Sequence, residues 1–219
     1  MMIDPSKMLQ PLLAQWPALA ALLFIGILVR FLASAGFKGW VGERRVREAL
    51  ARLDPATYHV FHDLYFPRPD GDGTTQLDHV VVSTYGIFVV ETKNYRGWIF
   101  GSEKQRQWTQ QIYRRKERFQ NPLHQNRLHV RALMEFLHLP DHAFKSVVVF
   151  VGDAIFKTPM PGNVLNRGLS LWIEGQRETL LDSGQVQAIQ AALENHEGLT
   201  DRKSAAREHR QNLKRRLAA

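Results

Sequence analysis

The sequence predicts an α/β (α+β) domain on a mixed central sheet flanked by helices, preceded by one N-terminal transmembrane helix. Three observations carry this. An apolar run extends from Pro11 to Val29; two Val/Ile/Phe-rich segments, Leu77–Ser83 and Gly86–Lys93, lie almost back to back; helical periodicities precede and follow that pair. The expected division is residues 1–35 as tail and anchor, 36–198 as the folded domain and 199–219 as a basic tail.

Between Pro11 and Val29 the only strongly polar residue is Gln15, and the run matches the ~20 residues that cross a bilayer as a helix. Trp16 suits one interface and Arg30 the other. A buried core helix fits poorly, because no polar stripe interrupts Leu19–Val29. Ala33-Ser34-Ala35 has the small-x-small form of a signal-peptide cleavage site, but Asp4 and a lone Lys7 make a weak n-region. Arg30, Lys38, Arg44, Arg45 and Arg47 follow the run, and only Lys7 precedes it. The positive-inside rule then expects a single-pass membrane protein with its C-terminal domain in the cytoplasm.

After a linker at Gly36–Gly42, Val46, Leu50 and Leu53 mark a helix over 41–53. Glu43 falls on its apolar face, either as a first-turn acid favoured by the helix dipole or as a side chain pointing into a site. Tyr58–Phe66 reads as a strand closed by the turn cluster Pro67–Gly73. Leu77–Ser83 and Gly86–Lys93 read as central strands, and Trp98–Gly101 and Gln107–Tyr113 as short weak ones. Asn121-Pro122 places an N-cap and a first-turn proline ahead of a helix to about His138. Lys145–Gly152 is another buried strand, Asn163–Leu165 and Leu169–Ile173 are short ones, and Ser183–Asn195 is a helix. The Lys/Arg-dense end reads as a solvated helix or tail, with phosphate binding as a second reading.

The absence of cysteine excludes disulfides, zinc ribbons, iron–sulfur clusters and thiol nucleophiles. A net charge of +8 and a pI near 10.0 favour polyanionic partners: nucleic acid or an anionic membrane surface.

The candidate chemistry lies on the hairpin Leu77–Lys93. A loop at Thr84-Tyr85 puts Asp78 opposite Glu91, whereas a loop at Tyr85-Gly86 puts Asp78 opposite Lys93. Either register gathers Asp78, Glu91 and Lys93 on one face; a three-residue loop without a bulge separates them. Two carboxylates so placed suit a hard divalent cation, and the lysine suits orienting or deprotonating a water, or offsetting phosphate charge. The same residues also make a cross-strand ion pair, worth ~0–1 kcal/mol if exposed.

Gly42-Glu43, Leu77-Asp78-His79, Glu91-Thr92-Lys93, Gly97, Gln107-Trp108 and Asn121-Pro122 with Gln125 follow one another in an order that resembles the nuclease-related domain (NERD) family. That family lies within the restriction-endonuclease-like PD-(D/E)xK superfamily. The resemblance spans Lys38–Leu137, with a weaker echo to Leu193. It implies a restriction-endonuclease-like sheet with Asp78 and Glu91 on Mg²⁺ or Mn²⁺, and Lys93 positioning the water. Glu43 would be an auxiliary acid and Gln125 a site-facing residue. The superfamily's proline before the Asp is Leu77 here. The expected activity is cleavage of DNA, with RNA also a candidate. The rival is a non-catalytic, membrane-anchored module that binds nucleic acid or protein.

Overall fold

A computed structural model describes residues 16–32, 34–71, 73–199, 204, 206–209, 211 and 212. The chain separates into two units, Met1–Val41 and Gly42–Ala219.

In the first unit, helix α1 covers Trp16–Leu32 (17 residues) and carries Arg30 in its last turn. Its large apolar side chains are exposed all round, including Leu22, Leu23, Phe24 and Ile27. The expected spanning helix over 11–29 is not found: among the described residues no helix is long and apolar enough to cross a membrane, and residues 11–15 lie outside them. Helix α2, Ala35–Leu50, begins where a linker was expected. The cost of Gly36, Gly39 and Gly42 inside a helix, about 1 kcal/mol each relative to Ala, does not prevent it from forming.

The second unit carries two sheets where the sequence suggested one. The first has the order β1 (His59–Pro67), β2 (Thr74–Ser83), β3 (Gly86–Lys93), β7 (Phe144–Phe150), β9 (Val164–Leu165). The first three strands are antiparallel neighbours, and β7 and β9 add in parallel, so the sheet is mixed as expected. The weak strands form a second sheet, β6 (Arg115–Gln120), β5 (Gln107–Ile112), β4 (Gly97–Phe100), β8 (Ala154–Phe156). Of these, β6 and β8 were not expected: β6 reads RKERFQ, almost wholly exposed, and no apolar alternation marks it. A third difference is α4, Leu169–Glu174, where a strand was expected. Its buried Leu169 and Ile173 lie one helical turn apart.

Helix α3 (Pro122–Leu137) and helix α5 (Ser183–Leu199) cover one face of the first sheet through Val130, Leu133, Val186, Ile189 and Leu193. Helix α2 covers the other through Val46 and Leu50, against Val81, Phe88 and Val90. Central strands buried on both faces explain the near-continuous apolar runs of β2 and β3. The second sheet packs Ile99 and Trp108 against Val148 and Phe150, with the Trp108 and Phe150 rings stacked at 6.2 Å.

Asn121 caps α3 as its sequence suggested, its side chain accepting from Leu123 N–H. Its amide also donates to the carbonyls of Glu103 and Gln105, tying the start of α3 to the β4–β5 loop. The β2–β3 turn is Thr84-Tyr85, with Ser83 opposite Gly86. The left-handed conformation falls on Gly86, φ 115°, where a Cβ would meet the Ala143 carbonyl oxygen at 2.9 Å.

Candidate active site

Of the two registers the hairpin allowed, the structure adopts the first. Pairing runs from Ser83–Gly86 to His79–Val90, and by count Asp78 comes next, opposite Glu91. The ladder stops there, and the Asp78 carboxylate itself accepts from Thr92 N–H at 2.8 Å.

Strict alternation fails nearby. Phe61, Val80 and Val82 share a core with Leu64, Phe66 and Leu77, which alternation would put on opposite faces. In β1 the change falls at Asp63, a non-glycine residue with φ 55°; across from it, it falls at Asp78–His79. Arg47 of α2 bonds to the Asp63 carboxylate, and Gln76 Nε2 donates to it at 3.0 Å. A strained backbone held from two sides beside an acidic cluster is a mark of a site under functional constraint.

Glu91 is buried at 2% exposure, near the end of the most buried strand. Lys93 Nζ lies 2.5 Å from its Oε1 and donates to Gln125 Oε1 at 2.9 Å. Its other oxygen faces His129 Nδ1 at 3.2 Å, an ion pair when the imidazole is protonated but not aligned as a hydrogen bond. Gln125 and His129 lie four apart on α3 and so present one face to β3. Asn126, between them, locks α3 onto the sheet by donating to the carbonyl of Val89 at 2.8 Å and to Ser146 Oγ at 2.9 Å.

The electrostatics differ sharply between the two carboxylates. Burial raises Asp78 well above the usual carboxylate range, and the Glu91 charge adds to this against the Thr92 N–H and Lys93. Burial also works against Glu91, but Lys93 and His129 overcome it and hold Glu91 down at about 2. Lys93 is raised: burial lowers it, and Glu91 and Asp78 together outweigh that. Glu43 is raised by burial and then by the charge of Asp63, with Arg47 opposing and Glu91 adding. Glu43 therefore lies within electrostatic reach of Asp63 and Glu91. Gly42 explains how: a Cβ there would stand 2.7 Å from Cβ of Asn94, the residue after Lys93. Helix α2 thus approaches the end of β3 at a distance only glycine permits.

The structure brings Asp78, Glu91, Lys93 and Gln125 together, with Glu43 within electrostatic reach. Sequence reasoning missed His129, Asp63 and Arg47. His129 was legible in principle, one turn beyond Gln125; Asp63 was not, because its place depends on a backbone conformation no pattern announces.

For a hard divalent cation the donor chemistry fits. Asp78 lies within electrostatic reach of Glu91, and Glu91 Oε2 is buried without a hydrogen-bond partner. No cage of three or more His, Cys, Asp or Glu side chains occurs among the described residues. Magnesium often needs no more than one or two carboxylates, since it retains waters.

A mixed α/β body with an acid pair and a lysine at the end of its central hairpin fits a nuclease-like α+β fold. The chain belongs to the nuclease-related domain family, whose sequence model matches residues 38–151, and so to the PD-(D/E)xK-like nuclease superfamily. A Bacillus anthracis protein described as uncharacterized is 53% identical over 97 residues, or 44% of this chain and 45% of that protein. The chain therefore spans less than half the length of the curated relative it matches. No solved structure matches.

Proposed function

We propose that the chain is a divalent-metal-dependent phosphodiesterase that cleaves DNA while tethered to a membrane, its C-terminal domain on the cytoplasmic side. The observation that carries the catalytic reading is Lys93, held between buried Glu91 and Gln125 beside Asp78. Apolar residues would fill the end of this strand at no greater cost than a buried lysine and two acids, so folding alone does not account for them.

Asp78 and Glu91 would hold Mg²⁺ or Mn²⁺. A bound cation supplies an acidified water and offsets phosphate charge. Lys93, its pKa raised, carries its proton at neutral pH. Its role is therefore to orient the attacking water and to offset charge on the phosphate, rather than to abstract a proton. Gln125 fixes the ammonium through its Oε1. His129 stands 3.2 Å from the second oxygen of Glu91, and Glu43 is the auxiliary acid.

The test is cleavage of plasmid, linear and single-stranded DNA, with RNA alongside, in Mg²⁺ and in Mn²⁺. Asp78→Ala is expected to abolish cleavage and to weaken Mn²⁺ binding in a direct titration. A wild-type protein that cleaves no nucleic acid with either metal makes the non-catalytic binding module the better account.

The tether rests on α1, whose apolar side chains are exposed on every side. The apolar run itself is longer than the described helix, reaching back to Pro11. Full-length protein is expected to float with liposomes, and a chain beginning at Gly36 to remain in the dense fraction. Equal flotation of both would sink the tether.

A further inference from the structure

The second sheet turns one face into the core through Ile99, Trp108 and Gln110. The opposite face, toward solvent, is built by the alternate residues of β4, β5 and β6. Register sets Phe100 beside Thr109, Thr109 beside Arg118 and Gln107 beside Gln120. These residues line a groove completed by Arg106 and His124. No carboxylate among the described residues lines it. The one acid of β6, Glu117, falls on the other face by alternation and is paired with Arg115.

The groove reaches the start of α3, the helix that also serves the catalytic cluster. His124 lines it, and the next residue, Gln125, holds Lys93.

We infer that this outer face is a docking track for a single strand of DNA, which it delivers to the Asp78–Glu91–Lys93 end of the hairpin. Arg106 and Arg118 each match a phosphate with a planar fork of donors. Thr109 and Gln120 supply neutral donors along the backbone. Phe100, partly exposed on the groove floor, offers a face on which one base stacks, a contact indifferent to sequence. A twisted sheet carrying an aromatic and two guanidinium groups suits an unpaired strand, whose bases are free to turn inward, better than a duplex. The track supplies positive charge that the acidic centre lacks. This inference rests on the nuclease reading for its direction, but the binding it asserts does not require cleavage.

Fluorescence anisotropy of labelled oligothymidine with the full chain in EDTA reads binding alone. Arg106→Ala with Arg118→Ala is expected to weaken it about tenfold or more, and to lower the slope of log K against log salt by about 1.4, or ~0.7 per lost phosphate contact. Both arginines are exposed, so melting temperature should not change. Lysine at both positions should restore most of the affinity, because the charge returns without the fork. Phe100→Ala should weaken binding while leaving the salt slope unchanged. Arg131→Ala with Arg167→Ala, neither on the second sheet, is the charge-matched control and should change affinity less than about twofold. Equal losses in the two arginine pairs would reduce the effect to net charge and overturn the track. So would no loss at Arg106 and Arg118, no binding by the wild type, or tighter binding of oligouridine than oligothymidine. Binding with the expected losses but no cleavage in any metal would fail the nuclease reading alone. Cleavage indifferent to Arg106 and Arg118 would fail the track alone.

Discussion

Lys93→Ala is expected to lower DNA cleavage ~10²–10³-fold at saturating Mg²⁺, the range typical of losing one positioned charge-stabilising donor, and also to destabilise the metal-free protein. The second effect comes from burial. Glu91 is 2% exposed, and the Lys93 charge is the largest single effect that holds its pKa down at about 2. Removing one partner of a buried pair leaves an uncompensated charge, which costs about 3–5 kcal/mol. On the proposed mechanism Lys93 has a structural role and a catalytic one, and metal separates them. A divalent cation on Asp78 and Glu91 supplies the missing positive charge, so melting temperature should recover as Mg²⁺ is added. Cleavage should not recover, because the ammonium that faces the phosphate is still gone. Thermal melts, Mn²⁺ titration and cleavage on the same preparations decide the matter. A Lys93→Ala protein that cleaves as fast as wild type removes the proposed mechanism. Destabilisation that Mg²⁺ fails to relieve counts against a cation between Asp78 and Glu91.

What was legible in the sequence follows from what periodicity reports. The central hairpin (though β2 starts at Thr74, three residues before the expected Leu77), the Asn121 cap, α3 and the strand at β7 announce themselves through apolar runs, capping residues and proline placement. Their placement needs only local chemistry. The second sheet was half visible: Gln107–Ile112 alternates weakly, but its partner Arg115–Gln120 is an exposed edge strand whose charges resemble a loop. Such a strand is stabilised by its hairpin neighbour rather than by burial. The segment Leu169–Glu174 failed for the opposite reason, since six residues with four large apolar side chains fit a strand and a short helix equally well. At the site, Glu91, Lys93 and Gln125 come together because a strand and a helix face are both readable. Asp78 joins them despite an assumption of strict alternation that breaks at Asp63 and Asp78–His79. That break is a property of two strands and a helix together, and no single segment encodes it.

The His79 imidazole is expected to make folding stability fall steeply as pH drops below neutrality. His79 is fully buried, and its Nδ1 lies 2.8 Å from His62 Nδ1 while its Nε2 has no partner. A neutral ring meets this setting by sharing one proton between the two Nδ1 atoms. A charged ring would bring a second N–H into the apolar interior with nothing to accept it. Burial, then His62, then Arg47 of α2 lower its pKa to about 3, with Glu91 pulling weakly the other way. The unfolded chain binds this proton near 6.5 and the folded chain only near 3, so the unfolded state holds more protons across that window. The stabilisation is therefore complete above about 6.5 and is lost as pH falls toward 3, by about 1.4 kcal/mol per pH unit and about 5 kcal/mol in all. Loss of the Glu91 charge comes later, because that group titrates from 4.5 down to about 2; Asp78 and Glu43, both raised, take up protons earlier in the folded chain and oppose the histidine slope, equally in wild type and variant. The other histidines of the chain are common to wild type and variant. Urea unfolding at successive pH values should then show a steep slope in wild type and a shallower one in His79→Gln, which keeps a polar side chain beside His62 but cannot titrate. Parallel slopes would mean that His79 accepts its proton in the folded state as readily as in the unfolded one, and that the closed packing of β1, β2 and α2 behind the candidate site opens to water.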